Sequence, residues 1–249
     1  MASLTTPDWR SIENGNTHRG VNRDVLKFLW QWNDRNPTQS LLDAPCGQGE
    51  FLKAVKQILP DVRIAGQDLL AEPLPEIAHA FRRGDQSKGF IDLDGQCFDV
   101  VTNISGVMCM DGASAIFSRT HDLLAPGGLF IVTNDNILTV RDRFSFLLFG
   151  RVKRFKLLMH PGEGNWNLML IQSLWQLLRT NRFKVVRVEY TTVFTEDWIW
   201  LPFALLLYPL WWLSFAFKKE EMDGATRRAL FPFKALLARH YVIYAQRED

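Results

Sequence analysis

Cysteine is scarce in this chain. Its 249 residues include three, Cys46, Cys97 and Cys109, with no CxxC pair and no metal-ligand spacing against the five histidines. A disulfide framework and a structural zinc site are therefore not expected, and no metal is assigned. So sparse and odd a set fits a reducing compartment, with the thiols packing as small apolar groups. Net charge is lacking too, at +2, so electrostatic attraction must come from local clusters. The N-terminus, with Thr5, Thr6, Asp8, Arg10 and Glu13, has no apolar signal-peptide core. The folded part is accordingly expected in the cytoplasm. No internal repeat or low-complexity linker interrupts the chain, which reads as a single domain over 1–249. A dinucleotide fingerprint is absent, because Gly47-x-Gly49 runs into Glu50, and no Walker lysine follows.

Apolar and aromatic residues are plentiful, with nine tryptophans and eighteen phenylalanines concentrated late in the chain. Ordinary proportions of hydrophobic (47%) and charged (22%) residues allow a folded core. Val25, Leu26, Phe28, Leu29 and Trp32 give residues 22–33 the spacing of an amphipathic helix. Helices are also expected over Glu50–Leu59, Ala113–Leu124 and Leu168–Thr180. Strands are expected over Ser40–Asp43, Val62–Gln67, Phe98–Asn103, Gly128–Thr133, Lys184–Thr191 and His240–Gln246, with a further one before Asp85. Such alternation predicts an α/β, doubly wound, seven-stranded and mostly parallel sheet.

One stretch departs from this pattern. Trp198–Phe217 carries no charge over its whole length and lies within residues 192–239, which read as an apolar helical insertion before the last strand. Its length suits a membrane crossing. A single crossing, however, would separate the last strand from its sheet, and Pro202 and Pro209 are expected to break a straight helix. The stretch is therefore expected to form a membrane-inserted hairpin or an interfacial helix pair. Residues Arg141–Lys156 interleave arginine and lysine with phenylalanine, a pattern that suits nucleic acid or an anionic membrane surface. The neighbouring apolar run favours the membrane, with no nucleic acid partner. A buried cap over a ligand pocket, or a homodimer interface, is the alternative. Either way the molecule acted on or bound is expected to be apolar or lipid-linked, and the protein to lie on the inner face of the cell membrane.

The chemistry gathers at the end of the first strand, in Leu41-Leu42-Asp43-Ala44-Pro45-Cys46-Gly47-Gln48-Gly49-Glu50-Phe51. Glycines there let the backbone turn and approach a ligand, and the helix that follows offers an electropositive N-terminus. Asp68 ends the second strand about 20 residues later, the position from which a carboxylate binds a ribose diol. Phe81-Arg82-Arg83-Gly84-Asp85, Phe98-Asp99-Val100-Val101 and Leu123 to Val132, with Pro126-Gly127-Gly128, follow in order.

In these five ordered segments the chain resembles the class I S-adenosylmethionine-dependent methyltransferase superfamily. The resemblance implies S-adenosylmethionine as cofactor. It assigns the methionine portion to Asp43, Ala44, Cys46, Gly47 and Gly49, the ribose to Asp68 with Leu69 beside it, the adenine to Asp85, and the methyl-donor pocket to Asn103. Cys46 also reads as a packing residue. Beyond residue 133 the chain is similar to bacterial members associated with cell-envelope glycans and lipids. Asn134-Asp135-Asn136-Ile137 and Gly164-Asn165-Trp166-Asn167-Leu168 carry that likeness, with Asn165 standing where those members have histidine. Asn165 and Asn167 are thereby implied as acceptor contacts.

Methyl transfer to an alcohol gains from a general base. His160 and Glu163, on a loop toward the acceptor side, and His18, in the N-terminal segment, are the candidates, and each also reads as a solvated loop residue. His121 reads as structural, while His79 and His240 lack supporting context. The expected activity is O-methylation of a lipid-linked sugar or envelope lipid. The alternatives are O-methylation of a small aromatic such as a quinone precursor, and a non-catalytic peripheral membrane scaffold of the same fold.

Overall fold

The computed structural model describes residues 7–9, 17–69, 72–93, 95–110, 112–153, 155, 156, 158, 169–216 and 222–249. Seven strands form one sheet: β1 (Ser40–Asp43), β2 (Arg63–Asp68), β3 (Phe81–Arg83), β4 (Phe98–Ile104), β5 (Leu124–Asp135), β6 (Phe183–Thr191) and β7 (His240–Arg247). Their spatial order is β3-β2-β1-β4-β5-β7-β6. All neighbouring pairs are parallel except those of β7, which runs antiparallel to both β5 and β6. The expected doubly wound, mostly parallel sheet is present.

The helices are α1 (Arg19–Asn33), α2 (Glu50–Ile58), α3 (Ala113–Leu123), α4 (Val140–Phe149), α5 (Ile171–Thr180), α6 (Leu201–Ala216) and α7 (Gly224–Leu230). The pleat divides the core cleanly. Leu41, Val100, Leu129 and Ile131 face the layer built with α1 and α2, while Leu42, Val101, Phe130 and Val132 face the layer holding Phe117 of α3 and Leu174 of α5. All four residues of β1 are buried, as a central parallel strand covered on both faces requires.

The reversal of β7 positions the site. Its first residue, His240, pairs with Asp135, the last of β5, and with Thr191, the last of β6. The connection from β6 to β7 therefore leaves and re-enters the sheet at the edge where β1, β4 and β5 end. The apolar insertion stands over that edge, and α4 starts there as well.

The structure corrects the reading of Trp198–Phe217. Neither proline breaks it. A short 3-10 turn (Thr195–Trp200) runs directly into α6, with Pro209 inside the helix. Pro202 falls in the first turn, where a missing N–H costs nothing. Over the described residues of the run, 198–216, no hairpin forms. Among the described residues one helix, Thr195–Phe215, is long and apolar enough to cross a membrane, with a mean hydropathy of 1.4. It packs along the body at both ends. Phe144 of α4 touches Trp200 and Phe203 near the start, and Phe231 stacks on Phe215 at 4.5 Å near the finish. Between them Tyr208 meets Phe233, and the Arg143 guanidinium lies 4.6 Å from the Trp211 ring. The outward side remains uncovered, with Leu206 71% exposed, as does the end of α4, with Leu147 78% exposed.

Candidate active site

A cavity of about 1190 Å³ opens at the carboxyl ends of the strands. This is the position at which doubly wound sheets bind ligands, beside the switch where β1 lies between β2 and β4. One part of its wall comes from Asp43, Cys46, Gly47 and Asp68, another from Asp135, Arg239 and His240, and a third from Arg141, Ile199 and Trp200.

The first part is built by the glycine turn. Gly47 has φ +56° and Gly49 φ +98°, left-handed conformations that favour glycine. The Gly47 amide donates to Asp68 Oδ2 at 3.0 Å, tying the loop to the end of β2. Gly49 precedes α2, and a Cβ there would stand 2.7 Å from Ile77 Cγ2. Gly49→Ala is expected to destabilise the protein by about 1–3 kcal/mol through this contact and the strained backbone. Chemical denaturation of the two proteins measures it.

Asp43 is nearly inaccessible, and Thr102 Oγ1 donates to its Oδ1 at 2.6 Å. Burial pushes its carboxyl up to about 8, with Asp68 and Glu50 adding to the effect and the Thr102 bond opposing it. Burial likewise pushes the Cys46 thiol up, reinforced by Asp43 and Asp68. A thiol so placed is not a nucleophile at neutral pH, and packing is its structural role.

The other sequence candidates divide. His18 lines the cavity; its Nδ1 accepts from the Gly20 amide at 3.1 Å, and its ring meets Phe194 edge-on. Ala44 and Asn103 act behind the wall. Asn103 Nδ2 donates to the Ala44 carbonyl at 2.7 Å, and the Val107 amide donates to Asn103 Oδ1 at 2.9 Å. Both ends of that amide hold the β1 and β4 loops together, so Asn103 does not line the cavity as the resemblance implied. Leu69 is exposed beyond Asp68. Asp85 lies on the loop after β3, away from the cavity lining, and accepts from the Ser87 amide and hydroxyl, which hold its carboxyl below the usual range. His160, Glu163, Asn165 and Asn167 lie outside the described residues.

Sequence reading missed a second group. Asp135 and His240, both buried, bring Oδ1 and Nε2 to 3.4 Å at the cavity wall. A carboxylate beside Nε2 favours the tautomer that carries its proton there, and Nδ1 has almost no exposed surface. Asn22 of α1 also lines the cavity, and its buried Oδ1 accepts no hydrogen bond from the described residues. Arg239 donates to Asp197 from Nε at 2.8 Å and to Glu196 from a terminal nitrogen at 2.7 Å. The one sequence signal for the pair was the Asn134–Ile137 segment. Nothing linear connects it to His240.

No family model matches the chain. Among curated proteins, the ribosomal RNA large subunit methyltransferase E of Desulfatibacillum aliphaticivorans is 31% identical over 117 residues, covering 41% of this chain and 56% of that protein. The chain thus spans just over half the length of this relative. Among solved structures, the magnesium protoporphyrin IX methyltransferase of Synechocystis PCC 6803, with bound SAH, superposes with a TM-score of 0.53 at 15% identity, covering 96% of this chain and 93% of that one. The chain has the class I methyltransferase fold. An O-methyltransferase family protein from Burkholderia thailandensis gives a TM-score of 0.52 at 13% identity, over 92% of this chain and 57% of that one. The cyclase SpnF gives 0.54 at 16% identity, over 94% and 84%. At such identities the likeness speaks of the methyltransferase fold, and activity has to be argued from the site.

Within that fold the cradle fits the cofactor that the sequence implied. The turn at Gly47 and Gly49 leaves no room for a Cβ at its second glycine. Asp68 presents a carboxylate at the end of β2, and Asp43 supplies a buried acid that a cationic amino group would ionise.

Proposed function

We propose that this protein is an S-adenosylmethionine-dependent methyltransferase acting on an acceptor with an apolar tail, presented at a membrane surface. The cradle of Asp43, Gly47 and Asp68 shares one cavity with Ile199 and Trp200, at the foot of an exposed apolar helix. That shared wall carries the reading. It supports an acceptor whose reactive end enters the cavity while its apolar part lies along α6.

When bound, S-adenosylmethionine supplies an activated methyl group on sulfonium. The protein's own part is to orient and to manage protons. Asp43 would hold the amino group, and Asp68 the ribose hydroxyls. Asn22 would accept a hydrogen bond from cofactor or acceptor. His240, oriented by Asp135, would take the proton from an acceptor hydroxyl, while His18 and Phe194 close the cavity from the N-terminal side. Orientation of this kind can supply roughly 7–11 kcal/mol of a barrier, and a base a further factor of about 10²–10⁴.

Aromatic contacts at both ends of α6 favour a helix lying flat in the interface over one spanning the bilayer. Tryptophan and arginine beside it suit the headgroup region. The relative that acts on ribosomal RNA, by its name, raises an RNA acceptor as a comparison. The apolar rim here favours the amphiphile, and a lipid-linked sugar or envelope lipid is the class proposed.

Liposome flotation tests the membrane claim. Wild type is expected to float with anionic vesicles, and Leu206→Glu/Leu210→Glu, which changes two exposed residues of one face, to remain in the pellet fraction with unchanged S-adenosylmethionine binding. Equal flotation of the two proteins would remove α6 from the account.

A further inference from the structure

The two arginines of the cavity wall differ in what they do. Arg239 donates from Nε and one terminal nitrogen to Asp197 and Glu196 at 2.7–2.8 Å. Arg141, in the first turn of α4, has its side chain 10% exposed, and among the described residues its only ion pair is with the adjacent Asp142. One terminal nitrogen stands 3.4 Å from each oxygen of that carboxylate. Charge-assisted bonds ordinarily close to about 2.7–2.9 Å. Asp142 is meanwhile held by the Thr139 hydroxyl at 2.6 Å. Arg141 Nε is buried and has no hydrogen-bond partner among the described residues. Arg23, Arg227 and Arg247 share that last feature, but none of them lines the cavity.

A buried guanidinium with an unused donor is costly unless something arrives to accept from it. The position adds to the cost, since the N-terminal turn of a helix disfavours a cation. The acids nearby do not meet the need. Glu196, whose carboxyl is lowered most by its bond to Arg239 and least by the charge of Arg141, accepts from Arg239 at 2.7 Å. Asp135 is on His240. A second cation, Lys153, lines the same cavity from the chain that follows α4.

We propose that Arg141 and Lys153 form an anion subsite in the acceptor half of the cavity, taking a phosphate-class group of the acceptor. The inference rests on the methyl-transfer reading and sharpens its substrate. The acceptor carries a phosphate ester between the hydroxyl facing His240 and the apolar portion facing Ile199 and Trp200. A guanidinium fork matches phosphate oxygens two at a time, and a second cation favours a phosphate over a monovalent carboxylate.

The test uses the full-length protein and dodecyl phosphate below its micelle concentration, with laurate and dodecyl maltoside as comparison amphiphiles, measured by calorimetry. Dodecyl phosphate is expected to bind wild type at least about tenfold more tightly than either comparison. Arg141→Gln should lose about tenfold for dodecyl phosphate and change little for dodecyl maltoside, while Arg141→Lys, which keeps the charge without the fork, falls between. S-adenosylmethionine affinity should be unchanged in both variants, which also shows that they fold. Equal binding of dodecyl phosphate to wild type and Arg141→Gln would overturn the subsite, as would laurate binding as tightly as dodecyl phosphate. Failure of wild type to bind S-adenosylmethionine would instead strike the methyl-transfer reading, leaving the anion measurement to stand or fall by itself.

Discussion

Asp43→Asn is expected to weaken S-adenosylmethionine binding by about 10–100-fold, the range for losing a hydrogen bond to a charged group, while making the ligand-free protein more stable at alkaline pH. The two effects have one origin. In the unfolded chain Asp43 ionises near the ordinary 3.8, whereas burial in the fold raises it to about 8. Between those values the folded state holds a proton that the unfolded state has released. Stability from this group is therefore fully present below the unfolded value and is lost as pH rises toward 8, at about 1.4 kcal/mol per pH unit. Asparagine keeps the shape and can still accept from Thr102, but it has no proton to lose. Thermal unfolding followed from about pH 5 to about pH 8 should show wild type falling relative to Asp43→Asn. A cationic amino group beside Asp43 reverses the preference and drives the proton off. Cofactor binding to wild type at about pH 6 should then release a proton, seen as a dependence of calorimetric heat on buffer ionisation enthalpy. Parallel stability curves would refute the burial argument. Equal affinities would move the amino group elsewhere.

His240→Ala is expected to reduce methyl transfer by about 10²–10⁴-fold, the usual worth of a general base, with cofactor affinity within twofold of wild type. Asp135→Asn should lose less and shift the pH–rate profile, because it disturbs the ring's tautomer and leaves the ring in place. Labelled methyl incorporation into a membrane extract gives the rate, and circular dichroism confirms folding. His18 lines the same cavity and caps α1, so His18→Ala provides the comparison. If His18→Ala loses activity and His240→Ala does not, the base belongs to the N-terminal segment that the sequence pointed to.

The contrast between His18 and His240 shows where sequence reading runs out. The cofactor end of the site lies within local reach. A strand, a glycine turn and a helix bring Asp43, Gly47 and Gly49 together over a few residues, and Asp68 follows from the parallel pairing of β1 with β2. Periodicity also located the strands and most helices to within a few residues. His240 and Asp135 are separated by a hundred residues of chain and meet because β7 runs against its neighbours. No linear pattern in the last strand states its direction, so His240 read as an isolated residue. Asn103 shows the opposite limit. Its place at the end of β4 matched a pocket position, but its amide is consumed by two backbone partners. The prolines of the apolar run were over-weighted for a simpler reason. Pro202 falls where a helix tolerates it, and packing of Tyr208 and Trp211 on the body holds the helix through Pro209.

The insertion also ties the two halves of the account together. Because it joins the end of β6 to the start of β7, its apolar helix and the His240 pair arise from the same connection. An apolar surface at a cavity mouth has a direct use when the acceptor is an amphiphile, and α6 offers one beside the Asp43 cradle.

The most direct measurement of the central claim is mass spectrometry of a bacterial membrane extract incubated with the protein and S-adenosylmethionine carrying an isotopically labelled methyl group. The account predicts label in an organic-soluble acidic lipid or lipid-linked sugar, dependent on His240. Label confined to RNA or to a water-soluble aromatic, or no transfer at all by a protein that binds the cofactor, would contradict it.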